Sequence, residues 1–144
     1  MKKTLLLLAV VLLPILASAQ TYGDNTLIIK KDNVDYNTLQ RKILMSGYSI
    51  AVGSSSETNT LNTEYKALYS SMGSKTFIKI TIFIMDSEIY LFGFYKVQSQ
   101  STDALNKDNR IEWNKNKRSF SSKGFVELQR IAESFGGVIS YSKE

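Results

Sequence analysis

Residues 76–97 read TFIKITIFIMDSEIYLFGFYKV, and the reading of this stretch decides the fold. Every second residue from Ile78 to Ile84 is isoleucine, which is the period of a β-strand. Side chains alternate across a strand, so Ile78, Ile80, Ile82 and Ile84 share one face, and Phe77, Lys79, Thr81, Phe83 and Met85 share the other. Asp86-Ser87 is the only polar break before a second β-branched and aromatic run, which predicts a hairpin with those two residues as its turn. That register sets Ile84 against Ile89, Ile82 against Leu91, Ile80 against Gly93 and Ile78 against Tyr95, an apolar face. The other face pairs Phe83 with Tyr90, Thr81 with Phe92, Lys79 with Phe94 and Phe77 with Lys96, so it is aromatic and charged. A turn longer or shorter by one residue would scramble the two faces.

The chain opens MKKTLLLLAVVLLPILASAQ, with two lysines, an apolar run from Leu5 to Leu16 and a small-residue site at Ala17-Ser18-Ala19. This is the layout of a secretory leader, residues 1–19, cleaved before Gln20. The apolar run is short for a membrane span, and an uncleaved anchor is the alternative. Residues 20–144 then form one domain, secreted or periplasmic. Loss of Lys2 and Lys3 lowers the formal net charge from +5 to +3, too small a surplus to suggest nucleic acid as a partner. There is no cysteine, which excludes disulfide staples and a lipidated N-terminus. There is no histidine either, which excludes Ser-His-Asp and Cys-His catalysis and zinc sites built on these ligands.

Outward from the ribbon, Thr26 to Lys31 predicts a first strand. Tyr36 to Ser46 predicts a helix, with Asp35 as N-cap, Tyr36, Leu39 and Ile43 on one stripe, Leu44 beside them, and Gly47 at its end. Tyr48 to Val52 alternates as a strand would. The segment from Thr60 to Met72 fits either a helix or a strand, the threonines favouring a strand over Thr60 to Lys66. Residues 98–123 form a long polar loop, with a short strand over Arg110 to Trp113. An amphipathic helix follows, capped by Ser122 or Gly124, burying Phe125, Leu128, Ile131, Ala132 and Phe135 and turning Glu127, Gln129, Arg130 and Glu133 outward; it ends at Gly136-Gly137. Val138 to Tyr141 predicts an edge strand.

The expected class is α+β: two layers, with an antiparallel sheet of four to five strands carrying two helices on one face. The helix ending at Ser46-Gly47-Tyr48, the strand holding Thr63-Glu64-Tyr65-Lys66, the hairpin and the last helix together resemble helix-grip-like small cell-envelope domains, as in outer-membrane assembly lipoproteins. The resemblance implies a binding or assembly role rather than a reaction. The chain departs from those proteins in lacking the lipidated cysteine.

If the helices roof the isoleucines, the aromatic face, with Phe83, Tyr90, Phe92 and Phe94 beside Lys79 and Lys96, must meet something else. The long loop or the N-terminal segment, a second copy, or a foreign partner would each serve. The loop itself sets Arg110, Arg118 and other cations around Trp113 and Phe120, a combination suited to an anionic glycan, a lipid head group or an acidic envelope protein, although a charge run is ordinarily a solvated surface. Asp103, Asn106, Asp108 and Glu112 supply oxygen atoms in one loop, but without calcium-loop spacing or its glycine, so no metal is expected. Asp86 and Glu88 fit turn chemistry better than acid and base work. No glycine-rich phosphate loop is present, so no cofactor is expected. Gly93 is mid-strand on the isoleucine face, where it lets a helix approach closely or bends the sheet. These features point to an exported, non-catalytic binding or assembly module of the cell envelope. The alternatives are a carrier with an apolar pocket between sheet and helices and, third, a hydrolase.

Overall fold

The computed structural model describes residues 19–71, 74–99 and 107–143. Of the expected leader over 1–19, residues 1–18 lie outside these residues, as do 72–73 and the section 100–106 with Asp103 and Asn106. The elements in order are β1 (Thr26–Lys30), α1 (Tyr36–Met45), β2 (Thr60–Asn62), β3 (Lys66–Ser71), β4 (Ser74–Met85), β5 (Glu88–Ser99), β6 (Asn109–Arg110), α2 (Phe120–Phe135) and β7 (Val138–Ser142).

β4 and β5, each 12 residues long, form the expected ribbon. Ile84 is opposite Ile89, Ile82 opposite Leu91, Ile80 opposite Gly93 and Ile78 opposite Tyr95. The turn is Asp86-Ser87, with φ of 49° and 66°, the left-handed pair that matches strand twist in a two-residue hairpin. Among the described residues all strand pairs are antiparallel, and the sheet holds seven strands in the order β2-β4-β5-β1-β7, with β3 on β4 and β6 on β5. The expectation of four to five strands is therefore corrected. The long ribbon outruns its neighbours, so β2 and β3 share the free side of β4, and β1 and β6 share the free side of β5.

Both helices lie on the isoleucine face. Ile78, Ile80, Ile82, Ile89 and Leu91 are fully buried with Leu39 and Ile43 of α1 and Phe125, Leu128, Ile131 and Phe135 of α2. α1 starts where expected: the Asp35 carboxylate accepts the Thr38 backbone N–H at 2.8 Å. Leu44 is half exposed rather than part of the stripe. Tyr48 to Val52 does not form a strand. Val52 is wholly exposed, so that end of the alternation has nothing to bury against, and the segment is held by the isolated bridge Ile50↔Thr63 and by the Ala51 N–H, which donates to the Asn62 carbonyl at the end of β2 at 2.9 Å. Thr60 to Asn62 is strand, not helix. α2 begins earlier than expected, because Ser119 rather than Ser122 is its N-cap, accepting the Ser122 N–H at 3.1 Å. Ser122 instead donates its hydroxyl to the Asn114 carbonyl at 2.8 Å. β7 is the edge strand, paired with β1.

The segment after β6 is not a free loop. Ile111 is fully buried between two glycines. A Cβ on Gly93 of β5 would lie 2.9 Å from Ile111 Cδ1 and 3.0 Å from the Lys79 carbonyl oxygen, and one on Gly124 of α2 would lie 2.9 Å from Ile111 Cδ1. The two missing side chains are the space that Ile111 fills. The close approach anticipated at Gly93 is therefore shared by a helix and by this wedge.

On an open helix face, Gly→Ala stabilises by up to about 1 kcal/mol. At Gly124 the expected sign is reversed: Gly124→Ala lowers stability in urea denaturation by about 1–3 kcal/mol through overpacking, and adding Ile111→Val recovers part of the loss. In the turn, Ser87→Gly relieves a left-handed non-glycine residue and should raise stability by up to about 1 kcal/mol in the same assay.

Candidate functional site

The sheet face away from the helices collects most of the residues singled out in the sequence. Lys79 and Phe83 of β4, Tyr90, Phe92, Phe94 and Lys96 of β5 and Arg110 of β6 alternate onto it, with Ile28 of β1 alongside. Phe83 is 40% exposed, and Met85 beside it 56%. Their rings form a run, with Phe83 and Phe92 stacked at 5.7 Å between centroids and Phe92 edge-on to Phe94 at 6.0 Å.

Cations sit over this run. The Arg110 guanidinium lies 3.8 Å from the Phe92 centroid and 5.3 Å from Phe94, with Nη2 donating to the Thr26 hydroxyl at 3.1 Å. Lys79 Nζ is 5.2 Å from the Phe94 centroid, and Lys96 Nζ is 4.6 Å from the ring of Tyr65. Asp108 bridges both lysines, Lys79 Nζ at 2.8 Å and Lys96 Nζ at 3.0 Å. The Lys79 hydrogen bond, with Tyr65 and Lys96 assisting, holds the Asp108 carboxyl well below the usual carboxylate range against the opposing effect of burial. Burial and the Asp108 charge together push the Tyr65 phenol well above its ordinary value. The Tyr65 hydroxyl is buried and makes no hydrogen bond of normal geometry among the described residues. Tyr65 and Asp108 were not singled out as members of this face. Both lie outside the ribbon, where alternation says nothing about which distant side chain folds across.

Trp113 and Arg118 are not on this face. Two residues beyond the wedge, Trp113 packs on the helix side against Phe125 at 5.8 Å between centroids. Its backbone is tied to the N-terminal segment by Gly23 N–H to Trp113 O at 3.0 Å and Trp113 N–H to Asp24 O at 2.6 Å. Arg118 is exposed in the turn before α2. Residues 107–123 thus divide between the two sides of the sheet instead of covering one.

A second feature was missed altogether. Glu127, expected to face water, is buried and held by Arg130 through Nε at 2.7 Å and Nη2 at 2.8 Å, while the Tyr48 hydroxyl donates to it at 3.0 Å. Burial alone would push the Glu127 carboxyl up, but the bonds from Arg130 and Tyr48 outweigh it and hold it below its ordinary value. Burial, then the Glu127 charge, pushes the Tyr48 phenol far up. Beside this cluster runs a groove of about 530 Å3, lined by Leu68 of β3, Trp113, Lys117 and the α2 residues Ser122, Lys123, Val126, Glu127 and Gln129.

Of the acid pair at the hairpin, Asp86 is the first turn residue, and Glu88 accepts the Tyr90 hydroxyl at 2.8 Å and pairs with Lys30 at 3.0 Å, bonds that hold Glu88 below its ordinary value. Among the described residues no group of three or more Asp, Glu, His or Cys converges as metal ligands, and no helix is long and apolar enough to cross a membrane. Comparison of the chain with protein-family models and with curated proteins gives no match.

The Asp108 bridge has a pH signature. Its folded-state carboxyl is depressed, so its stabilisation is full above the unfolded Asp value near pH 4 and fades as pH falls from there toward the depressed folded value. The pair is about one-third exposed, so solvent screening keeps this stabilisation to at most about 1 kcal/mol. Asp108→Asn should therefore cost up to that amount in urea denaturation at pH 7, and the gap from wild type should narrow as the pH drops below 4 and as salt is added.

Proposed function

We propose that this protein is an exported, non-catalytic binding or assembly module of the bacterial cell envelope, and that the aromatic sheet face is its contact surface. One observation supports this above the others: Phe83, Phe92 and Phe94 form a ring run on the face the helices leave open, overlaid by Arg110, Lys79 and Lys96. Aromatic rings give contact area at low entropic cost, and cations over rings favour an anionic partner such as an acidic envelope protein, a glycan or a lipid head group. Asp108 is one carboxylate between the two lysines, so their charge is offset only in part. A second copy of the chain is the competing occupant of the same surface. The two carboxylates on this face, Glu88 and Asp108, are each committed to ion pairs, which argues against acid and base chemistry there.

A carrier is the second reading, and the groove beside α2 favours it. Beneath the helices themselves, Ile78, Ile80, Ile82, Leu91, Leu128 and Ile131 fill the space. Carriage therefore needs the groove.

The two readings separate by mutation. Phe92→Lys should abolish retention of envelope components by the immobilised exported protein while moving the melting temperature by less than about 5 °C. Phe83→Lys, at a more exposed position, should weaken retention with a smaller thermal effect. If Phe92→Lys instead melts many degrees lower and Phe83→Lys binds as wild type does, the face is structural. Loss of self-association measured by sedimentation, with no change in retention, would assign the face to a dimer.

A further inference from the structure

The groove beside α2 has chemistry that narrows what it takes. Its volume of about 530 Å3 lies within the roughly 300–1,000 Å3 of small-molecule sites. Leu68, Trp113 and Val126 give it apolar walls, and Val126 is left 58% exposed on the helix beside the indole. Lys117 and Lys123 line it as well. The one acid in the lining, Glu127, already has its charge matched by Arg130 and its oxygen occupied by Tyr48, so it does not repel an incoming anion as a bare carboxylate would. The first turn of α2 contains no acidic residue, so the positive end of a 16-residue helix adds to the lysines.

We infer that the groove binds a single-chain amphiphile with an anionic head, such as a fatty carboxylate, its chain against Leu68, Trp113 and Val126 and its head toward Lys117 and Lys123. This rests on the carrier reading and adds to it the sign of the head group and the number of chains. The apolar lining would reward each methylene, and the cations would reward the charge separately.

The test uses a built-in reporter, because Trp113 is the only tryptophan in the chain. The exported protein is titrated with octanoate, decanoate, dodecanoate and dodecanol, each below its aggregation threshold, and tryptophan emission is followed. The expected result is a saturable one-site shift, affinity rising by roughly two- to fourfold per methylene, and dodecanoate binding about tenfold tighter than dodecanol. The double variant Lys117→Glu/Lys123→Glu should erase the preference for dodecanoate without weakening dodecanol. Val126→Asp, at an exposed helix position, should remove binding of both with the melting temperature unchanged. Equal binding of dodecanol and dodecanoate overturns the anionic head while the carrier reading stands. No saturable shift with either probe overturns both. A response only to phosphatidylglycerol vesicles also overturns the inference, by making the patch a membrane-contact surface.

Discussion

The structure depends on a turn of two residues. Asp86 and Ser87 both hold left-handed backbone, and a two-residue turn of that kind closes the ribbon in one register only. Side chains alternate, so a slip of one residue would place Phe83, Phe92 and Phe94 under the helices and expose the isoleucines. Neither alternative could be packed: α2 approaches β5 at Gly93, and a ring in that position would meet Leu128 and Ile111. The sequence alternation and the helix approach therefore select the same register independently. That agreement gives the chain one sheet with two chemically distinct sides.

How much of this is legible without coordinates follows from range. The ribbon, its face assignment, α1 with its Asp35 cap, the apolar stripe of α2 and the edge strand β7 all come from periodicity and capping, which are local rules. The proposed contact face was legible for the same reason, since six of the nine candidate residues, Lys79 to Lys96, follow from the ribbon's alternation; Arg110, expected in the loop cluster with Trp113 and Arg118, joins that side through β6. What could not be read depends on partners distant in sequence. Glu127 looks like an outward residue in a helical pattern; Arg130, one turn away, accounts for its ion pair, but the Tyr48 hydroxyl that adds a third hydrogen bond comes from 79 residues away. Asp108 sits in a polar run that reads as solvated loop, yet two lysines already placed side by side by the ribbon supply it with a site. Strands are expected over Thr60 to Lys66 and over Arg110 to Trp113, but β2 holds only 3 residues and β6 only 2, ending at Arg110, and the extra strand β3 (Lys66–Ser71) falls in the stretch whose spacing fits helix and strand alike.

Residues 107–113 decide how the two sides of the sheet are furnished. Arg110 pairs with Phe94 in the last ladder contact and lies over the rings on the open face. Ile111, the next residue, passes into the core between Gly93 and Gly124, and Trp113 emerges on the helix side as a wall of the groove. Three successive placements of a few residues thus connect the ring face to the groove through the sheet's thickness. A polar composition over 98–123 suggests mobility, but one fully buried isoleucine and two backbone hydrogen bonds to the Gly23-Asp24 segment are enough to anchor its second half.

This geometry bears on whether the two candidate surfaces act separately. A close-packed wedge transmits displacement more readily than a solvated loop, because its neighbours have no free volume to absorb a shift. Both glycines at the wedge lack a side chain that could rotate away, and the Gly93 side is backed by the Lys79 carbonyl, which belongs to the same strand residue whose ammonium grips Asp108. A load on the Arg110 side therefore bears on the sheet backbone, while a load on the Trp113 side bears on α2 through Phe125. Coupling between the two surfaces would run through Ile111, and the packing offers it one position. The arrangement therefore makes both surfaces rigid, with Ile111 packed where a load on either side bears on the other.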